Sequence, residues 1–274
     1  MLINDWRKTQ RSKSIIDLEV LKVLQNVNIV NISSDYSIFF DQEKFKQTYD
    51  KWIHSSNLFK IKGLDTFPHY YVTHGITESF HDVYSPNSVV LKDEYVYHQQ
   101  LGIPVVDSYK DIKPSQRLII SYPFSGTGKV HPDWDNIITS CNSIFIDCCL
   151  FGVSSVRLLD VTAPNISHVA FSFSKTFGTG GCRTGLLYKR LINRTSIEIL
   201  NKHHYTQMAG QIIHYNLMKN FSPDYMFNKY RQKQLNVCKT EGIVPSDTVI
   251  YGILDQTRIS LAYKLQKFKK NLNE

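Results

Sequence analysis

The sequence contains no run of about 18 apolar residues, the length that a membrane-spanning helix requires. Glycine and proline are scarce, with 13 and 9 residues among 274, so no segment has the composition of a flexible linker or a disordered region. The five cysteines show no spacing typical of a metal site, and Cys148 and Cys149 are adjacent within an apolar stretch. These absences argue against an integral membrane protein, a zinc module and a disulfide-stabilised scaffold, and no metal site is predicted.

The first 17 residues are polar and basic and lack the apolar core of a signal peptide. Together with cysteines that are typical of buried, reduced thiols, this predicts a cytoplasmic protein.

A net charge of +8 raises the question of an anionic partner such as nucleic acid. The basic residues concentrate near the two ends of the chain, in stretches with helical patterns, where a solvated helix face explains them. No recognised nucleic-acid-binding motif accompanies the charge. Neither nucleic acid nor a membrane is therefore predicted as a partner. The clusters are Arg7, Lys8, Arg11 and Lys13, and Lys264, Lys267, Lys269 and Lys270.

The pattern of apolar residues predicts an α/β protein. Residues 14–25 and 36–52 have helical spacing, and from about residue 68 short apolar runs alternate with helical stretches. Such alternation is typical of βα units and a mainly parallel sheet. Residues 191–221 and 225–238 are predicted to be helical, residues 249–261 strand-like, and a basic helix to close the chain.

The most informative segment is the run SFSKTFG at residues 172–178, which follows an apolar, strand-like stretch. A Gly-rich turn comes next, and Arg183 stands eight residues after Lys175. A buried lysine with a lowered pKa can attack a carbonyl and hold it as a Schiff base. Serine, arginine and glycine suit a phosphate group. The segment therefore predicts a pocket for an aldehyde that carries a phosphate.

This segment resembles the lysine segment of the fold-type I enzymes that use pyridoxal 5′-phosphate (PLP), the aspartate-aminotransferase superfamily. The resemblance implies that Lys175 forms the Schiff base and moves protons at the substrate Cα, while Ser172 and Arg183 hold the phosphate. It also implies a three-layer α/β/α fold, with an N-terminal helical segment (1–65), a large cofactor domain (66–200) and a reduced C-terminal α+β domain (201–274).

A second phosphate-binding turn is predicted at the sequence HGITE, residues 74–78. A glycine lets the backbone approach a phosphate, and in the resembled family a turn of this kind binds the cofactor phosphate through positions matching Gly75, Ile76 and Thr77. The alternative is an ordinary helix N-cap formed by Thr77.

Asp147 ends the apolar run 144–146, and a buried carboxylate there needs a partner. By resemblance, Asp147 pairs with the protonated pyridine nitrogen of PLP, which then withdraws electrons from Cα; the alternative is a helix N-cap. Tyr95 matches the aromatic residue that stacks on the pyridine ring. The alternatives there are Tyr97 or two tyrosines without a cofactor role.

Two positions depart from the family pattern. Ser125 stands where aminotransferases carry an asparagine that contacts the cofactor, and Leu150 stands where they carry a tyrosine. Arg258, in the run TRISLA at residues 257–262, matches the arginine that binds the substrate carboxylate. The alternative for Arg258 is an edge-strand arginine.

The resemblance implies an enzyme that uses PLP and acts at the α-carbon of an amino acid or amine, and aminotransfer is the leading prediction. Decarboxylation, elimination, racemisation or oxidation in the same fold stay open because of the two departures, as does a catalytically retired subunit that only binds a partner. A homodimer is expected from the resemblance.

Overall fold

The computed structural model of the chain describes residues 13–27 and 41–266. The start of the predicted helix 36–52 and most of both basic clusters lie outside these residues.

The described residues form twelve strands and ten α-helices. The strands are β1 (Phe59–Lys62), β2 (His69–Thr73), β3 (Ser88–Leu91), β4 (Val105–Val106), β5 (Arg117–Ser121), β6 (Ile144–Cys148), β7 (Val156–Asp160), β8 (Ile166–Ser172), β9 (Gly185–Lys189), β10 (Val244–Pro245), β11 (Tyr251–Leu254) and β12 (Thr257–Ser260). The helices are α1 (Leu18–Gln25), α2 (Gln42–His54), α3 (Ile76–His81), α4 (Tyr97–Gln100), α5 (Trp134–Ser140), α6 (Phe173–Thr176), α7 (Ser196–Lys202), α8 (Met208–Asn220), α9 (Tyr225–Glu241) and α10 (Ala262–Leu265).

Seven strands form the central sheet in the order β2-β9-β8-β6-β5-β3-β4. Strand β9 runs antiparallel to both of its neighbours, and the other pairs are parallel. The prediction of a mainly parallel sheet is confirmed. Because the carboxyl ends of the parallel strands meet at one edge, the loops that follow β5, β6 and β8 lie close together.

Helices cover both faces of this sheet. Alternate strand residues such as Ile119 and Phe145 pack against Phe80 of α3 and Ile197 of α7. Their chain neighbours, such as Ile120 and Ile146, belong to the larger apolar core, to which α2, α5 and α8 contribute side chains. Both faces of the sheet are therefore buried, as expected for an α/β/α sandwich whose strands are apolar throughout.

The C-terminal part contains the antiparallel sheet β10-β11-β12 and helix α10, beside helix α9. The segment predicted to be strand-like, 249–261, contains two strands, because the chain turns at Asp255 and Gln256 (φ 48° and 63°) and returns as β12. Residues 191–221 form two helices rather than one. The segment up to residue 65 contains strand β1, which pairs with β7, in addition to its helices.

Among the described residues, no helix is long and apolar enough to cross a membrane. The proposed division into three regions stays a prediction.

Candidate active site

A cavity of about 120 Å³ lies at the carboxyl ends of β5, β6 and β8, where the C-terminal sheet meets the central one. It is lined by Ser14, Ile76, Thr77, Tyr95, Ser121, Ser125, Cys149, Leu150, Ser174, Lys175, Gly180, Arg183, Tyr251 and Arg258.

Seven of the ten predicted site residues line this cavity, namely Ile76, Thr77, Tyr95, Ser125, Lys175, Arg183 and Arg258. The other three are buried next to lining residues: Gly75 precedes Ile76, Asp147 accepts a hydrogen bond from the Cys149 N–H, and Ser172 accepts one from the Ser174 N–H. The structure therefore brings together residues that are separated by up to 183 positions in the sequence.

Lys175 lies in the short helix α6, directly after β8. Ser172 caps this helix, its hydroxyl accepting a hydrogen bond from the Ser174 backbone N–H at 3.3 Å. Burial lowers the pKa of Lys175, and the positive charges of Arg258 and Arg183 lower it further. A lowered pKa makes more of the amine neutral, and the neutral amine is the nucleophilic form.

Three segments meet at one end of the cavity. They contain Gly75 and Thr77, Ser172, and Gly180 and Arg183. Arg183 donates to the Thr77 hydroxyl over 3.4 Å and to the Gly180 carbonyl over 3.0 Å. Gly75 has φ 79°, and a Cβ added there would lie 3.1 Å from the Ser172 Oγ. Because Gly75 has no side chain, the backbone turn packs closely against Ser172 and Arg183.

Asp147 is the last but one residue of β6 and is only 1% exposed. Its Oδ1 accepts a hydrogen bond from the Cys149 N–H at 2.7 Å, whereas its Oδ2 is buried and has no hydrogen-bond partner among the described residues. Burial raises the pKa of Asp147 to about 7, and the nearby charge of Glu94 contributes in the same direction. A buried acceptor without a partner costs free energy, so this oxygen is suited to a donor from outside the chain.

The raised pKa of Asp147 predicts a pH dependence of the ligand-free chain. The folded chain holds this proton more tightly than the unfolded chain, where the carboxyl has its ordinary value of 3.8. The resulting stabilisation is present below about pH 4 and is lost as the pH rises through about 7. Asp147→Asn should remove this decline, which urea unfolding of both proteins between pH 4 and 8 would measure. An equal decline in both proteins would contradict the assignment.

Tyr95 is 38% exposed and presents its ring to the cavity. Tyr97, the alternative stacking residue, does not line the cavity; its ring stacks on that of Tyr95, with centroids 5.9 Å apart. The structure thus favours Tyr95 as the residue facing a ligand.

Arg258 on β12 reaches across to the central domain. Its Nη1 donates hydrogen bonds to the Ser125 carbonyl and to the Ser125 hydroxyl, the latter at 3.1 Å. The guanidinium also lies 4.7 Å from the centroid of the Tyr251 ring. A cation is therefore held at the cavity wall, hydrogen-bonded to Ser125, the position where the family pattern has asparagine.

Several lining residues were missed by the sequence analysis. Ser14 reaches the cavity because its hydroxyl donates to the Ser174 carbonyl at 2.8 Å, while Gln266 donates to the Ser14 carbonyl at 3.0 Å. Ser121 and Tyr251 also belong to the wall. Because these residues are distant in the sequence from the residues that they contact, no local pattern indicates that they line the cavity. Glu94, which follows Asp93 and precedes Tyr95, was not assigned a role from the sequence.

No family model matches this sequence, and no curated protein matches it. Solved structures do match. An aminotransferase from Staphylococcus aureus is 15% identical, with 93% of this chain and 90% of that chain covered and a TM-score of 0.62. Histidinol-phosphate aminotransferase from Sinorhizobium meliloti, in complex with PLP, is 14% identical, with 89% and 73% covered and a TM-score of 0.60. A PLP-bound C-S lyase from Staphylococcus hominis is 12% identical, with 87% and 72% covered and a TM-score of 0.56. At these identities the matches establish a common fold, and the predicted fold class is confirmed.

Proposed function

We propose that this chain, whose fold is that of the aminotransferase superfamily, binds PLP and transfers an amino group at the α-carbon of an amino acid. One observation carries the proposal: Lys175 lines the cavity, and next to the lining residue Cys149 lies Asp147, whose buried Oδ2 has no hydrogen-bond partner among the described residues. An amine for the aldehyde and an acceptor for the pyridine nitrogen thus lie close to the same pocket.

The residues present fit PLP. Thr77, Ser172 and Arg183 would hold the phosphate, since Gly75 lets the turn before Thr77 pack closely against Ser172 and Arg183. Asp147 would accept the pyridine N–H, which supplies its Oδ2 with the missing donor. Tyr95 would lie against one face of the ring. When bound, PLP supplies an electron sink for the electrons released at Cα.

Lys175 would bind the cofactor and then move the proton at the substrate Cα. Its lowered pKa suits this role, because a general base works best when its pKa is near the working pH.

Arg258 would bind the substrate carboxylate. An arginine can pair with both oxygens of a carboxylate, and this one is oriented by Ser125 and Tyr251. The substrate class proposed is therefore an α-amino acid rather than a simple amine.

The protein is further proposed to work as a homodimer, as the resemblance implies, and in the cytoplasm, as its buried cysteines and the polar first 17 residues suggest. The three regions 1–65, 66–200 and 201–274 are proposed as its N-terminal segment, cofactor domain and small domain.

The function is tested by adding single L-amino acids to the PLP-loaded protein and following its visible spectrum. Aminotransfer predicts a lost visible band and equal amounts of oxo acid and aminated cofactor. Release of ammonia, sulfide or carbon dioxide would instead assign elimination or decarboxylation. A spectrum that no amino acid changes would contradict the proposal.

Arg258→Lys tests the carboxylate site. Losing the planar, two-donor contact should raise KM for the amino acid by about 10- to 100-fold, since a hydrogen bond to a charged group is worth about 1.5–3 kcal/mol. Affinity for PLP should not change. Arg194→Lys, at an exposed position, is the matched control. If KM stays unchanged in Arg258→Lys, Arg258 does not bind the carboxylate.

A further inference from the structure

Glu94 is a second buried carboxyl group in this site, and neither the sequence motifs nor the proposed function assigns it a role. It is 5% exposed and lies in the turn between β3 and α4, immediately before Tyr95. A carboxyl group is rarely buried unless its oxygens are satisfied, so its contacts indicate what it does.

Both oxygens of Glu94 accept hydrogen bonds. Oε1 accepts from the Tyr95 N–H at 2.8 Å and from the Ser121 hydroxyl, and Oε2 accepts from the Ser121 N–H at 2.8 Å. All three contacts are donors, which is the arrangement that suits an ionised carboxylate. These hydrogen bonds attach the turn that contains Tyr95 to the end of strand β5.

The strand register places this carboxylate near Asp147. Ser121, which Glu94 contacts twice, pairs with Asp147 across β5 and β6, and the Tyr122 N–H donates to the Asp147 carbonyl at 2.8 Å. Glu94, held at the end of β5 by Ser121, thus lies near Asp147 at the end of the adjacent strand β6. The cofactor ring would lie on this side of the cavity.

We infer that Glu94 is a positioning residue of the cofactor site: it holds Tyr95 against the ring and adds a second negative charge next to Asp147. This inference rests on the proposed function, because it concerns the same cofactor. In this role Glu94 touches neither cofactor nor substrate, but acts through Tyr95, Ser121 and Asp147.

Glu94 interacts with other charged groups of the site, so the effect of its own charge on the site can be measured. Glu94 raises the pKa of Asp147 on β6, whereas Lys175 lowers it. The pKa of Glu94 itself is raised, because burial outweighs the donors from Ser121 and Tyr95 and the charge of Arg258 on β12. A second negative charge next to Asp147 would favour the protonated form of the linkage between Lys175 and the cofactor, so the linkage would lose its proton at a higher pH.

The test uses the full chain loaded with PLP and follows the visible spectrum as the pH is varied. Glu94→Gln removes the charge and keeps the shape, so the pH at which the linkage loses its proton should fall by about one unit or more, as expected for a nearby charge. Glu94→Asp keeps the charge and should keep the wild-type midpoint, with weaker PLP binding because Tyr95 is held less firmly. Asp93→Asn, which removes an exposed carboxylate from the same turn, should also keep that midpoint.

The outcomes separate the two proposals. If wild type and Glu94→Gln both bind PLP and titrate at the same pH, Glu94 has a structural role only and the inference is overturned while the proposed function stands. If the wild type forms no linkage with PLP, both are overturned. Should Glu94→Gln fail to fold, Glu94→Asp carries the test: a shifted midpoint despite the retained charge would overturn the inference, and an unshifted one with weaker PLP binding would support it.

Discussion

Replacing Lys175 by alanine is expected to lower turnover of an amino acid substrate by at least about 10⁴-fold. The change removes the proposed covalent attachment and the group proposed to move the Cα proton, and proton transfer alone contributes about 10²–10⁴-fold. The proposed phosphate contacts of Thr77, Ser172 and Arg183 should keep PLP bound without covalent attachment. Single-turnover kinetics with a large excess of amino acid would measure the loss.

A small primary amine added from solution should restore part of the Lys175→Ala activity, because it can occupy the space of the missing side chain. The restored rate should increase with the basicity of the amine. Lys51→Ala, at an exposed position of α2, is the control and should behave as the wild type. Undiminished turnover in Lys175→Ala would remove this lysine from the mechanism.

Removing Lys189 from the buried ion cluster at the end of α3 is expected to cause the largest loss in the free energy of unfolding. The Lys189 Nζ lies 2.7 Å from Asp82 and 2.5 Å from Glu198, and the Lys189 side chain is fully buried. His168 lies 3.6 Å from Asp82. The cluster ties β8, β9 and α7 to the end of α3, the helix that begins at the Gly75 turn. Removing one partner leaves buried charges uncompensated, which costs about 3–5 kcal/mol.

Lys189→Met should therefore lower the free energy of unfolding by about 3–5 kcal/mol in urea titrations at pH 7. Lys62→Met breaks an exposed pair of similar length, 2.8 Å to Asp160, and should cost under about 1 kcal/mol. Equal losses in the two variants would contradict this account of the cluster.

The pKa of Asp82 in this cluster predicts how the stability of the fold changes at low pH. Burial raises the pKa of Asp82, but the contacts with His168 and Lys189 outweigh burial and bring it to about 2, below the ordinary 3.8. A carboxyl with a lowered pKa stabilises the fold above about pH 4, and this stabilisation is lost as the pH falls toward 2.

The sequence predicted those parts of the fold and site that depend on local patterns. The apolar run before Lys175 and the turns around Gly75 and Arg183 are contiguous in sequence, and an apolar run that ends in a carboxylate indicated Asp147. The position of these segments at one edge of the sheet follows from the general rule that ligands bind where parallel strands end.

What could not be predicted depends on contacts between distant segments. Strands β1 and β7 are short and, among residues 13–27 and 41–266, pair only with each other, so neither has a distinct pattern alone. The hairpin at Asp255 and Gln256 uses positive φ values without glycine, which removes the usual turn signal. Ser14 enters the site only through its contact with Ser174.

The most direct test of the central claim is to identify the lysine that borohydride fixes to PLP. The loaded protein is reduced, digested and analysed by mass spectrometry. This account predicts one pyridoxyl group per chain, on the peptide that contains Lys175, and none in Lys175→Ala. A label spread over exposed lysines, placed on another buried lysine such as Lys189, or absent from a protein saturated with PLP would contradict it.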